Sequence, residues 1–359
     1  MADIMETCAN PGCMEPGTNK CSACKTTLYC SIICQRANWP LHKESCPGHL
    51  RKMGMAHLQK AKGFHGVERN YEQAVRCAEL ALTKLKQLKD RSLAFIQILD
   101  EALETKYGAL SVMGRDKEAL ECATERYNMW ATTNMRHPGM IEAAFPLIES
   151  LLHNHEFAQA HLIAGTVHEM AMHPTNHDIP ENKQQPFLAQ SANCLALATH
   201  QLAQAGGIPA NEKQKAGKEA IALARKGLEM HKKLPGVMAK VVALNMATLA
   251  GALDYFNNVD DNEPIRLYEQ VIYIFTQVVG SSSVNIPIYK QNLGNVYCAR
   301  ANRAVIADDL KRALVNWELA VSYLRDAIRL FRAINHMGPA DIAALKVAQI
   351  EENLRLARI

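Results

Sequence analysis

Eight residues able to bind a soft metal ion fall within the first 46 positions: Cys8, Cys13, Cys21, Cys24, Cys30, Cys34, His42 and Cys46. Thiolate and imidazole are the ligands zinc prefers, and two tetrahedral structural sites need eight of them. Seven of the eleven cysteines in this 359-residue chain are gathered here. A segment of about 50 residues buries too little apolar surface to fold unaided, whereas metal binding supplies folding free energy directly. The residue types and their number therefore predict two structural Zn2+ ions. A disulfide framework is the competing reading, and three observations oppose it. The clustered cysteines are odd in number, and Met-Ala-Asp-Ile-Met-Glu at the N-terminus lacks the basic start and apolar run of a secretory leader. Cys77, Cys122, Cys194 and Cys298 are scattered singly through helix-like sequence, as reduced core thiols are. The expectation is an intracellular protein, of cytoplasm and/or nucleus, that is not secreted.

The ligands come as four pairs. Cys21-x-x-Cys24 is a knuckle, a turn presenting two sulfurs to one metal. Cys30 and Cys34 are four apart, as are His42 and Cys46, so each pair would share a helix face. Pro40 suits the first turn of a second short helix, with Asn38 as its cap. One site would have four cysteines and the other three cysteines and a histidine. Sequential and interleaved pairing give the same ligand types, and spacing alone leaves both open.

The series resembles a MYND zinc finger and matches that family's ligand spacing at every position. The match extends to Tyr29, to Cys30-Ser31-x-x-Cys34-Gln35 and to Asn38-Trp39-Pro40-x-His42-Lys43. It covers residues 8–46. The resemblance implies interleaved sites, with one zinc on Cys8, Cys13, Cys30 and Cys34 and a second on Cys21, Cys24, His42 and Cys46. It also implies docking of short proline-containing peptides, often of a Pro-x-Leu-x-Pro type, in a shallow groove beside the second zinc. The matching groove positions are Ser31, Gln35 and Trp39. Trp39 would anchor an extended proline segment, and Ser31 and Gln35 would hydrogen-bond its backbone. The competing role for Trp39 is packing the small zinc module. Ile32 and Ile33 stand where the family usually has charged residues, so the rim of this groove is expected to be apolar.

The elements that must hold this module follow from the rest of the chain. From about Gly54 the pattern is helical, with apolar residues at three- and four-residue steps; Ala74, Val75, Ala78, Ala81 and Leu82 make one such face. Breakers fall at Gly114-Arg-Asp, His173 to Pro186, Gly206-Gly207-Ile-Pro209, Pro235-Gly236, Asn257 to Pro264 and Gly280 to Pro287. Anchors at Ala74, Ala119, Ala160, Ala220, Ile265 and Ala313 recur at intervals of 45, 41, 60, 45 and 48, the 60 implying an insertion near His173 to Pro186. Such periods, with two helices per unit, predict an α-solenoid. The repeats resemble divergent tetratricopeptide repeats of the longer-helix sort found in kinesin light chains. Leu293-Gly294-x-x-Tyr297 matches the first-helix signature, with Ala313 and Ala320 as second-helix small residues. An irregular helical bundle is the alternative. The expected fold is mostly α: a finger over residues 1–50, then a tetratricopeptide-like helical-repeat domain over 51–359.

Catalytic signatures are missing. MYND fingers accompany SET-type lysine methyltransferases, where part of the catalytic fold precedes the finger. Here seven residues precede Cys8, and there is no Asn-His-Ser-Cys-like motif, phosphate loop or nucleophile elbow. Ser281-Ser282-Ser283 reads as a loop. His153, His155, His161, His168, His173 and His177 read as solvent-facing or groove histidines, because His161 and His168 lie two turns apart. The formal charge is +4; seven thiolates remove seven charges and two Zn2+ restore four, leaving +1, with about −3 on the finger. That argues against nucleic acid, whose binding is largely a charge effect. No stretch approaches the length of a membrane span. The reading is a non-enzymatic, zinc-binding interaction adaptor or scaffold. The alternatives are a purely structural finger capping the helices, and a methyltransferase relative lacking the SET domain.

Overall fold

The structure is a computed structural model that describes residues 6–88, 90–134, 136–236, 238–256, 262–278, 280, 283, 285–334 and 337–357. Most of the breaker at Asn257 to Pro264 and most of the Ser281-Ser282-Ser283 loop lie outside the described residues. Packing divides the chain into two compact units, Met1–Met135 and Arg136–Ile359.

The first unit opens with the zinc module. β1 (Asn19–Lys20) pairs antiparallel with β2 (Leu28–Tyr29), Asn19 opposite Tyr29. α1 (Ile32–His42) follows, and α2 (Pro47–Gly63) begins with a proline at its first position, where the missing N–H costs nothing. Residue 50 lies in the first turn of α2. A π-helical turn, Phe64–Glu68, ends in Arg69 at φ 52° and leads to α3 (Tyr71–Leu85), α4 (Leu93–Val112) and α5 (Asp116–Thr133). Asn70 caps α3 by accepting from the Gln73 N–H. The face Ala74, Val75, Ala78, Ala81 and Leu82 is buried as expected. α2 packs on α3, α3 on α4, α4 on α5, and α2 also touches α4. Between α4 and α5, Asp100 receives two hydrogen bonds from Arg126, which is 3% exposed, and one from the Trp130 indole at 2.7 Å. A buried guanidinium needs such a partner.

The second unit is helical throughout its described residues: α6 (Pro138–His153), α7 (Phe157–Met172), α8 (Glu181–Gln204), α9 (Ala210–Lys233), α10 (Ala239–Phe256), α11 (Glu263–Val278), α12 (Asn285–Ile306), α13 (Leu310–Ala333) and α14 (Met337–Ala357). Each packs on the next in sequence. The even-numbered helices also pack on one another, α6 on α8, α8 on α10 and α10 on α12. Contacts confined to near neighbours, with one series of alternate helices drawn together, are what an α-solenoid of hairpins produces. The six anchors fall one each on α3, α5, α7, α9, α11 and α13, all buried. Alanine there lets paired backbones approach.

One interval corrects the sequence reading. The long interval near His173 to Pro186 is not a loop throughout. It holds a 3-10 turn, Pro174–His177, and then α8, which starts at Glu181 with Pro186 inside it. Pro186 has no N–H to give the Asn182 carbonyl, and α8 continues through it. The extra residues of the 60-residue interval go into that turn and into α8 and α9, each 24 residues long. Among the described residues no helix is long and apolar enough to cross a membrane.

Candidate metal centre

Each ligand pair is positioned by a different local device. Cys8 and Cys13 lie on a loop held by a Thr7–Pro16 bridge, by Cys8 N–H to Glu15 O (2.9 Å) and by Ala9 N–H to Leu28 O (2.9 Å). Gly12, at φ 83°, supplies the left-handed turn between them. Cys21 and Cys24 occupy the turn between β1 and β2, closed by Lys25 N–H to Cys21 O (2.9 Å). Cys30 stands just ahead of α1, and Cys34 is in its first turn. Ser31 is the cap of α1, its hydroxyl accepting from Cys34 N–H at 3.3 Å.

The fourth pair departs from expectation. His42 and Cys46 do not share a helix: His42 ends α1, and Cys46 is the N-cap of α2. Nor does a second short helix begin at Asn38. α1 runs unbroken through Pro40, which has no N–H to give the Arg36 carbonyl and sits near the C-terminal end of the helix. Asn38 is buried instead. Its amide donates to Ala9 O (3.0 Å) and to the Tyr29 hydroxyl (3.2 Å), tying α1 to β2 and to the first ligand loop. A polar side chain in so small an interior is kept there by those bonds.

These devices bring the eight ligands into two groups. Cys8, Cys13, Cys30 and Cys34 form one; Cys21, Cys24, His42 and Cys46 form the other; within each, the ligand atoms all lie within 4.8 Å of one another. Sulfurs on a tetrahedral zinc, with bonds near 2.3 Å, sit about 3.8 Å apart. Cys13 and Cys30 Sγ are 3.6 Å apart, Cys30 and Cys34 Sγ 3.4 Å, and Cys24 Sγ and His42 Nε2 3.6 Å. Donor set and spacing both fit Zn2+, and the pairing is interleaved. Bound there, the ions supply the crosslinks that this segment's few buried side chains (Cys8, Cys21, Tyr29 and Cys46, with Trp39 packed beside them) do not.

In the first group the Cys30 thiol donates to Cys34 Sγ, which pushes it up to about 12, whereas at Cys8 burial opposes ionisation but hydrogen bonds from the Cys30 and Asn10 backbone bring it down to about 7. In the second group burial pushes Cys46 up to about 11. Burial also opposes ionisation of Cys24, but hydrogen bonds from Thr26 and Thr27 bring it down to about 5.

Residues 8–46 form a MYND zinc finger. The family model for the MYND finger matches those residues. The chain is similar to N-lysine methyltransferase SMYD2-B of Danio rerio, 31% identical over 85 residues, which are 24% of this chain and 17% of that protein. It is also similar to N-lysine methyltransferase SMYD2 of Bos taurus, 50% identical over 32 residues, 9% of this chain and 7% of that one. The chain thus spans under a fifth of the length of these relatives. A solved Rap protein complexed with competence and sporulation factor aligns with 87% of this chain and 76% of its own, at 12% identity and a TM-score of 0.45.

The finger contains positions that spacing did not single out. Gly48, in the first turn of α2, lies against the knuckle: a β-carbon there would be 2.0 Å from the Ala23 carbonyl oxygen. His49 meets the Trp39 ring edge-on at 5.3 Å. A glycine two residues after the last ligand was the only available signal, and it does not reveal what approaches it.

Proposed function

We propose that this chain is a non-enzymatic adaptor, with residues 1–50 as a finger that docks short proline-containing peptides and residues 51–359 as a helical-repeat domain that holds a second protein partner. The observation that carries this reading is the place of Trp39. It is half-buried on α1, flanked edge-on by the zinc ligand His42 at 5.9 Å and by His49. An indole so supported is a fixed apolar plate, the kind of surface an already extended proline segment packs on at little entropic cost. Ser31, the cap of α1, and Gln35 within it precede Trp39 by eight and four residues, and both are partly accessible. Ile32 and Ile33 are exposed beside them and give the rim an apolar character.

For the second partner, the support is the stack of hairpins itself, in which α6, α8, α10 and α12 pack in series along one side, as the helices lining a helical-repeat binding surface do.

Titration of the zinc-loaded chain with a fluorescent Pro-x-Leu-x-Pro peptide tests the finger. Trp39→Ala is expected to weaken binding by at least about tenfold, the loss of a central aromatic anchor, while two zincs per chain remain. Equal affinity in the variant overturns the groove reading. Turnover of a methyl donor by the wild type overturns the adaptor reading.

A further inference from the structure

Gln35 has a partner that its place in the groove does not explain. Its Nε2 lies 3.5 Å from Cys21 Sγ and 3.1 Å from Ser22 Oγ. Cys21 is fully buried and belongs to the second ligand group. A zinc-bound thiolate only accepts, so the amide nitrogen, not its oxygen, must face the sulfur. We propose that Gln35 is a positioning residue of the second zinc site, its amide N–H holding the Cys21 thiolate on the metal.

Three features support this. First, another sulfur of that site has a comparable partner: the Thr27 hydroxyl is 3.6 Å from Cys24 Sγ and donates to it once the thiol is ionised. Second, the bond to Ser22 fixes the amide plane, so the N–H is presented without being ordered anew when metal binds. Third, Gln35 follows Cys34 directly in α1. One helical turn therefore gives a ligand to the first zinc and a hydrogen bond to a ligand of the second. A donor to a ligand sulfur draws off negative charge and makes the sulfur a poorer base, so protons and competing chelators displace it less readily; loss of such outer contacts typically lowers metal affinity by about 10–100-fold. The proposal does not depend on peptide docking, since the Gln35 Oε1 is left for any other partner.

The experiment is zinc release from the full chain to a chromophoric chelator, with cobalt-substituted protein measured in parallel. In Gln35→Ala, one of the two zincs is expected to leave about tenfold faster or more, the other at the wild-type rate. The sulfur-to-cobalt charge-transfer band of that site is expected to move to longer wavelength as the sulfur becomes more electron-rich. Gln35→Glu keeps the shape without the donor and is expected to match the alanine variant. Wild-type release and spectrum in both variants overturn the proposal. Faster release in Gln35→Ala alone, with Gln35→Glu unchanged, also overturns it by assigning the effect to packing. Peptide affinity enters neither readout, so failure of the groove reading leaves this result intact.

Discussion

At the scale of single residues, the finger depends on side chains that look incidental in the sequence. Asn38 spans three segments with one amide, and Gly48 admits the knuckle against α2 because it has no side chain. The obstacle facing a β-carbon at Gly48 is backbone, which cannot swing aside as a side chain would. Gly48→Ala is therefore expected to destabilise the finger by about 1–3 kcal/mol, the usual cost of overpacking. The check is the urea midpoint of zinc-loaded protein followed by zinc release to a chromophoric chelator; an unchanged midpoint contradicts the close approach. Neither residue's role was legible beforehand. Asparagine before Trp-Pro reads as a cap and a lone glycine after the last ligand carries no signal of its own, and only the arrival of Ala9, Ala23 and Tyr29 from elsewhere in the chain gives them their work.

At the scale of elements, helical hairpins bury polar groups as well as apolar ones. His200, on α8, is 6% exposed, with Tyr255 and Phe256 of α10 against its ring at 5.5 and 6.2 Å. Neither ring nitrogen has a protein hydrogen-bond partner among the described residues. Burial pushes its pKa down to about 4 from 6.5. The unfolded chain then binds the proton more readily than the folded one. The contribution to stability is complete above 6.5 and is lost as pH falls from there through 4. Between pH 7 and pH 5 this amounts to about 2 kcal/mol. Unfolding of the wild type and of His200→Gln at the two pH values checks it: the variant is expected to lose less stability on acidification by about that amount, and an equal loss in both would contradict it. The helical period of α8 places His200 on the helix but does not distinguish a buried from a groove position. Its neutral state follows from α10 and from nothing in the local sequence.

At the scale of the whole molecule, the chain joins two kinds of cohesion. Metal bonds organise residues 8–46, and nearest-neighbour helix packing organises the hairpins. Cohesion of the second kind is local, so loss at one place does not spread along the array. Removal of zinc by a strong chelator is expected to abolish amide-exchange protection over residues 8–46 and the first turn of α2, whose cap is the ligand Cys46. Protection in α6–α14 is expected to stay within a few-fold of its starting value. Hydrogen-exchange mass spectrometry reads both, and collapse of the second unit on chelation would assign the finger a general structural role instead.

The sequence by itself determined the eight ligands, the number of metal ions and the helical hairpins with their anchors. These rest on residue chemistry and on periodicity, which are properties of neighbours along the chain. The anchors from Ala74 to Ala313 were legible because each hairpin repeats the same small-residue contact. Tertiary structure decided which thiols share a metal, because four pairs of the same chemistry can combine in more than one way until the β1–β2 turn and α1 fix their positions. It also decided that α1 runs through Pro40, that Cys46 begins a new helix, and that the Gln35 amide meets a sulfur 14 residues earlier in the chain. Each of these is a meeting of residues distant in sequence, and no periodicity carries that information.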